Sequence, residues 1–330
     1  MRKIRVAQIG TSNYGHGNSI FQAMKNLPEY FEIVGYAFPE NEREKFPEHM
    51  KHFEGYTELT LDEILNDETI EAVTVETEEI YLTKYALLAA KHGKHIQMEK
   101  PGGTSLELFE EMISVVKQNG KVFHTGYMYR YNPTIEEAIR RARAGELGDI
   151  VSVEAHMSGW RGEEMTKWLT CFKGGMMFYL GCHLVDLVLR IQGMPKRIVP
   201  FNKSTGLYET DAKDLSFAAF EYENGVSFVK TSQREMGGFL RRQLVITGTK
   251  GTIEICPLEA SIKYPLQYTQ YRECMSEDWN ASGEWIRAAD HDRFNSMMQA
   301  FAEMVAGERE NPYSYDYELE LFRTILKCCE

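Results

Sequence analysis

The chain has 330 residues, 43% hydrophobic and 26% charged, a balance that buries a large core without disulfide or metal staples. Against 49 acidic residues stand 37 Lys and Arg, a formal charge of −12 that argues against nucleic-acid and anionic-membrane partners. No apolar run reaches the roughly 18 residues of a membrane span, no secretory core follows the first residues, and none of the six cysteines forms a C-x-x-C pair, so a reduced cytoplasmic compartment is expected.

Ile4 to Ile9 is a short apolar run that predicts a strand, followed by a glycine-containing turn and a helix over Ser19 to Asn26. Strands are predicted over Glu32 to Phe38, Ala72 to Val75, His95 to Met98 and Lys121 to Tyr127. Helices are predicted between them over Leu82 to Lys91 and Leu106 to Gln118, with Gly93 placed as a C-cap. This alternation implies a doubly wound parallel sheet of the Rossmann type. The pattern then changes. Helices over Pro133 to Ala144 and Met177 to Gln192 flank a strand over Ile150 to Met157. Strands follow over Arg197 to Asn202, Leu215 to Glu221, Ser227 to Thr231, Gln243 to Thr247 and Thr252 to Ile255, with hairpin turns at Asn224-Gly225 and Lys250-Gly251. The alternating tyrosines from Tyr264 to Tyr271 read as one face of a further strand, and helices close the chain over Phe294 to Ala306 and Tyr317 to Cys329. The expectation is α/β overall: a Rossmann domain over residues 1–125 and an α/β domain with a large open, mostly antiparallel sheet over 126–330.

Gly10-Thr11-Ser12-Asn13-Tyr14-Gly15 follows the first strand and nearly matches G-x-G-x-x-G, with Ser12 at the middle glycine. Small residues there let backbone approach a pyrophosphate, and the helix N-terminus beyond supplies unpaired N–H groups. Ser12 is small enough, and its hydroxyl can donate to a phosphate. The acidic residue expected after the second strand, to bind the ribose, is missing: the chain reads Phe38-Pro39-Glu40. Phe38 can pack on adenine, Glu40 or Arg43 can reach the ribose, and Arg43 favours a 2′-phosphate, so NAD and NADP both stay open. His16 faces either the cofactor or solvent. Glu99-Lys100-Pro101 ends a parallel strand, where ligands of open α/β sheets lie and where a lysine suits proton transfer.

Glu99-Lys100-Pro101 after Lys91-His92-Gly93-Lys94-His95 resembles the signature of the Gfo/Idh/MocA family, that of glucose-fructose oxidoreductase and inositol 2-dehydrogenase. Further matches come in the family's order: Gly126 to Pro133, Gly145-Glu146-Leu147-Gly148, Gly174-Gly175 through Gly181-Cys182-His183-Leu184-Val185-Asp186, and Gly248 to Thr252. The resemblance covers nearly the whole chain. It implies reversible hydride transfer between NAD or NADP and a hydroxyl-bearing carbon of a sugar, polyol or related compound, with Lys100 and His183 as the catalytic lysine and histidine. Gly10, Ser12, Asn13, Tyr14, Gly15, Phe38, Thr77, Glu99 and Lys100 would hold the cofactor. Arg130, Trp168 and Asp186 would meet a small sugar-like substrate. On a helix, Tyr179 at i−4 and Asp186 at i+3 would share a face with His183.

The pattern departs at three places. Tyr179 stands where the family has an aspartate, and is taken here as a third catalytic candidate. Leu169 follows Trp168 where the family often has arginine. Glu78 and Glu79 follow Thr77 where proline is usual. Tyr179, Leu169 and Phe38 favour the alternative of a non-catalytic NAD(P)- or ligand-binding regulatory protein on the same fold. A third reading keeps the enzyme and changes the chemistry to redox-assisted elimination or hydrolysis. The scattered histidines show no metal-ligand spacing, so no metal is expected. Trp160-Arg161 can reach a substrate cleft. The open sheet face implies a homodimer or homotetramer.

Overall fold

The computed structural model describes residues 2–330, and the chain divides into two compact units: residues 1–128 with 294–322, and 129–293 with 323–330. The expected second domain over 126–330 is thereby corrected, because residues 294–322 pack with the first unit. Helix Asn295–Ala306 lies on helix Gly17–Asn26, and Phe322 stacks on Phe109 at 4.3 Å between ring centroids.

The first unit is built on five parallel strands, β1 (Ile4–Ile9), β2 (Phe31–Ala37), β3 (Ala72–Val75), β4 (His95–Met98) and β5 (Phe123–Thr125), in the order β2-β1-β3-β4-β5. Every residue of β3 is buried, as a parallel strand covered on both faces requires. The chain's crossovers leave β1 and β3 in opposite directions, so a crevice opens beyond their carboxyl ends. β5 is shorter than the sequence suggested because Gly126 and Tyr127 already bend into a 3₁₀ turn over Met128–Tyr131. The short helices Glu42–Lys45 and Leu61–Asn66, with a 3₁₀ turn over Pro47–His52, were not anticipated. Their segments are too polar and too short to show a helical period. Leu61–Asn66 carries a capping box, Thr60 with Glu63, which was a legible signal.

The second unit carries a mixed sheet of eight strands: β6 (Ile150–Ser158), β7 (Arg197–Lys203), β8 (Leu215–Tyr222), β9 (Gly225–Ser232), β10 (Gln243–Gly248), β11 (Thr252–Ile255), then β14 (Gln270–Cys274) and β15 (Ile286–Arg287) beyond β12 (Ala260–Lys263) and β13 (Leu266–Tyr268). Its order is β15-β14-β11-β10-β6-β9-β8-β7, antiparallel except for the pair β6 and β9. β12 and β13 form a separate three-stranded sheet with β16 (His291–Asp292). The tyrosines from Tyr264 to Tyr271 therefore do not share one strand face: Tyr264 lies in a turn, Tyr268 on β13 and Tyr271 on β14. On the inner face Val153, Ala155, Met157, Val229, Leu244 and Ile246 are buried, and helix Cys182–Gln192, itself almost wholly buried, packs on β6. The outer face carries a row of rings across four strands. Phe201 and Phe217 are 6.1 Å apart, Phe217 and Phe228 5.3 Å, and Phe228 and His156 5.6 Å.

Gly10 closes β1 with φ +89°, and a Cβ there would stand 2.4 Å from Thr77 Cγ2 and 2.6 Å from Thr77 Cα. Both the left-handed backbone and the close approach of the β3 exit demand glycine. Gly10→Ala is expected to lower stability by about 1–3 kcal/mol, measured by urea unfolding.

Candidate functional site

Beyond Gly10 the loop is built on Ser12. Its N–H donates to Glu76 O (2.8 Å), and its Oγ accepts from the N–H groups of Tyr14 (3.3 Å) and Gly15 (3.1 Å). The hydroxyl proton goes to Glu79 Oε2 at 3.0 Å. That corrects the expectation of a donor to phosphate, since a hydroxyl has one proton to give. Asn13 is exposed and Tyr14 half-buried. Helix Gly17–Asn26 then opens with no side-chain cap and no acidic residue in its first turn. An uncapped ten-residue helix behind a tight glycine turn suits the diphosphate of a dinucleotide.

At the exit of β2, half-buried Phe38 packs on Tyr36 and Phe53, each with ring centroids 4.8 Å away, and the Arg43 guanidinium lies over its ring at 6.0 Å. Both residues named for the ribose have protein partners. Glu40 accepts from Lys84 Nζ (2.5 Å) and Tyr85 OH (2.7 Å), and Arg43 pairs with Glu58. Sequence reasoning missed the buried carboxyl of this corner, Glu42, which accepts from the N–H groups of Thr11 (2.9 Å) and Glu78 (3.3 Å). It ties the glycine loop to the β3 exit. Burial pushes its carboxyl up to about 8, against the pull of those two N–H groups.

The exits of β3 and β4 carry a compact set of titratable groups. Lys100 and Glu99 are buried, with Lys100 Nζ 3.8 Å from Glu99 Oε1, and His16 Nδ1 lies 3.1 Å from Glu99 Oε2. His16 thus faces Glu99, and its ring lies 5.1 Å from that of Phe294. Thr77 is buried against Gly10. Glu79, noted in sequence only as a departure from proline, is buried; burial raises its carboxyl to about 7 while Lys100 opposes the rise. Glu76 is also buried and was not singled out, although an acid directly after the apolar run Ala72–Val75 was a readable signal.

In the second unit His183 is buried at the start of its helix, and its ring meets Tyr129 edge-on at 5.6 Å. The predicted single helix over Met177 to Gln192 begins instead with one π-helical turn, Met177–Gly181. Wider than an α-turn, it breaks the i−4 phasing expected between Tyr179 and His183. Tyr179 packs edge-on against Trp168 at 5.1 Å, which in turn meets Phe172 at 4.7 Å. Arg130 and Asp186 are a correction. Their side chains are 0% and 1% exposed and paired with each other, Nη2 to Oδ1 at 2.8 Å and Nε to both oxygens at 3.2 Å, so they brace the His183 helix and are closed to a substrate. Tyr129 OH donates to buried Glu259 at 3.0 Å, and Arg242 and Arg293 also donate to that carboxylate. This network was not anticipated because Glu259 lies 130 residues from Tyr129. Trp160 is half exposed beside Arg234.

Among the described residues no group of three or more His, Cys, Asp or Glu could hold a metal ion, and no helix is long and apolar enough to cross a membrane.

These features define a protein with a dinucleotide-type Rossmann unit and a sheet-based α/β unit. Residues 4–127 match the model of the oxidoreductase family with an NAD-binding Rossmann fold, and residues 135–254 match the GFO/IDH/MocA C-terminal domain. The chain belongs to the Gfo/Idh/MocA family. It is 26% identical over 202 residues to scyllo-inositol 2-dehydrogenase (NADP+) of Bacillus subtilis, covering 60% of this chain and 55% of the relative. It is 25% identical over 205 residues to 2,7-anhydro-N-acetylneuraminate hydratase of Escherichia coli, covering 59% and 54%. These matches span about half the length of the curated relatives. In fold it is similar to aldose-aldose oxidoreductase from Caulobacter crescentus, with a TM-score of 0.81, 19% identity and coverage of 99% of this chain and 98% of the other.

Glu42 makes the stability of the first unit depend on pH. Its folded carboxyl titrates near 8 against an ordinary 4.5, so the folded state holds a proton that the unfolded chain releases. The associated stability is full below pH 4.5 and is lost as pH rises to 8. Glu42→Gln removes this dependence. Its melting temperature relative to the parent is expected to rise from pH 5 to pH 8.5 by scanning calorimetry, as about expected from linkage.

Proposed function

We propose that this chain is an NAD- or NADP-dependent oxidoreductase that moves a hydride between the nicotinamide and a hydroxyl or carbonyl carbon of a sugar, polyol or related small molecule. The observation that carries it is the tight glycine turn and uncapped helix at the crevice of the parallel sheet, with buried Lys100 at the next strand exit. Family membership and relatives named as dehydrogenases support the same reading.

In this proposal the loop from Gly10 to Gly15 and the first turn of helix Gly17–Asn26 hold the diphosphate. Phe38 and Arg43 bound the adenosine end, where the Arg43 guanidinium would meet a 2′-phosphate. Bound nicotinamide supplies or accepts the hydride. Lys100 Nζ holds the reacting oxygen and exchanges its proton, and Glu99 orients the lysine. His183 takes the acid–base role that its motif implies, seated by the Arg130–Asp186 pair and by Tyr129. Tyr179 and Trp168 form an aromatic wall for a sugar face in place of an aspartate.

Self-association through the outer face of the large sheet belongs to this proposal, because Phe201 and Val226 stand half exposed there beside Phe217 and Phe228.

Fluorescence titration with NADH and NADPH tests the class: one of them is expected to bind tightly, which also decides the cofactor. No binding of either to folded protein would sink the reading. Lys100→Ala is expected to keep binding and to lose turnover in a sugar and polyol screen by about 100-fold or more. Phe217→Asp is expected to shift the light-scattering mass toward a monomer, and an unchanged mass would remove the sheet face from the interface.

A further inference from the structure

Five buried side-chain atoms at the exits of β3 and β4 find no hydrogen-bond partner: both carboxyl oxygens of Glu76, Oε1 of Glu79, Oε1 of Glu99 and Nε2 of Gln97. The register explains why they meet. Val75 pairs with Met98, so Glu76 and Glu99 are the next residues of two adjacent parallel strands, and Glu99 N donates to Val75 O at 3.0 Å. Glu76 is 1% exposed. An ionised carboxylate buried without donors or a cation is very costly, and protonation is the usual resolution.

The surroundings of Glu76 favour that resolution. Glu99 faces it from β4 and Glu79 from its own loop, both raising its carboxyl, while Gln97 on β4 opposes them, and a Cβ on Gly17 at the start of the neighbouring helix would lie 3.1 Å from its Cβ. Glu99 has two basic partners instead, His16 and Lys100. Burial, then the charge of Glu99, pushes the Glu76 carboxyl well above the usual range. Burial acts on Glu99 in the same sense, but His16 and Lys100 outweigh it and hold Glu99 below its usual value. His16 is the member of the set open to solvent, with 18% of its side chain exposed against 2% for Glu99.

We propose that Glu76 and Glu99 form a buried acid pair that holds one proton between them, and that this pair, reached from solvent through His16, is the proton reserve of Lys100. The use by Lys100 rests on the function proposed above. After Lys100 Nζ gives a proton to the substrate oxygen, its amine takes one from the pair. The acid O–H bond breaks, the N–H bond forms, and the pair passes from one negative charge to two. A solvent proton entering by His16 Nδ1 and Glu99 Oε2 restores the pair. In the oxidative direction the same transfers run backward. Glu76 and His16 are thus positioning residues acting through Lys100.

The test is infrared spectroscopy of the intact chain without cofactor, which reads protonated carboxylic acids by their C=O stretch. At neutral pH the parent is expected to show a carboxylic-acid band that Glu76→Gln removes and Glu42→Gln leaves. On transfer to D₂O that band shifts as its proton exchanges. In His16→Phe the shift is expected to be about tenfold slower or more, with the native circular-dichroism spectrum kept. Should Glu76→Gln fail to fold, Glu99→Gln is read instead: the Glu76 acid band is expected to stay but to move in frequency as it loses its carboxylate partner. A parent band untouched by these variants overturns the acid pair, and equal exchange in His16→Phe overturns the route. If both nicotinamide cofactors fail to bind while the band and its exchange behave as stated, the oxidoreductase reading and the use by Lys100 fall, and the pair itself stands.

Discussion

Parallel strands β3 and β4 run in register, Val75 beside Met98, so the residues that leave the sheet next to each other are Glu76 and Glu99. Two carboxyls side by side in a buried crevice cannot both be ionised cheaply. The groups around them respond to that constraint. His16 and Lys100 flank Glu99, Ser12 turns its hydroxyl to Glu79, and Glu42 takes the N–H groups of Thr11 and Glu78. The glycine loop is therefore held from beneath by carboxyls as well as by close packing of Gly10 on Thr77.

This acidic floor sets the chain apart from a plain dinucleotide cradle. A diphosphate would lie on the N–H groups of helix Gly17–Asn26, while the negative groups lie behind the loop, at the strand exits. The separation matters because charge favourable to one part of a ligand repels another. Carboxyls near Lys100 keep a proton close to the residue proposed to exchange one. The second unit handles its buried charges differently: Arg130 pairs with Asp186, and Glu259 with Arg242, Arg293 and the hydroxyl of Tyr129. Such pairs cost strongly when one partner is removed and make good rigid supports.

Much of this was legible in the sequence where a pattern is local. The strands of the parallel sheet, the helices Leu82–Lys91 and Leu106–Gln118, the glycine loop and the Glu99-Lys100-Pro101 exit follow from short apolar runs, caps and turns. The family resemblance rested on motifs in order along the chain, and the matches to both of its domain models agree with it. Tyr179 and Glu79 were visible as departures, though what they touch was not. The π-turn before His183 left no trace in the period of Met177 to Gln192, because a single wider turn changes phase without changing composition.

Local chemistry decided which segments become strands and helices, where backbone needs glycine, and which lysine ends a parallel strand. Long-range contacts decided the rest. Only the fold pairs Arg130 with Asp186, seats Glu42 beneath Thr11, and returns residues 294–322 to the first unit. The physical reason is that burial and charge pairing depend on neighbours brought together by strand register, and a carboxyl reads the same in sequence whether water or another carboxyl will stand beside it.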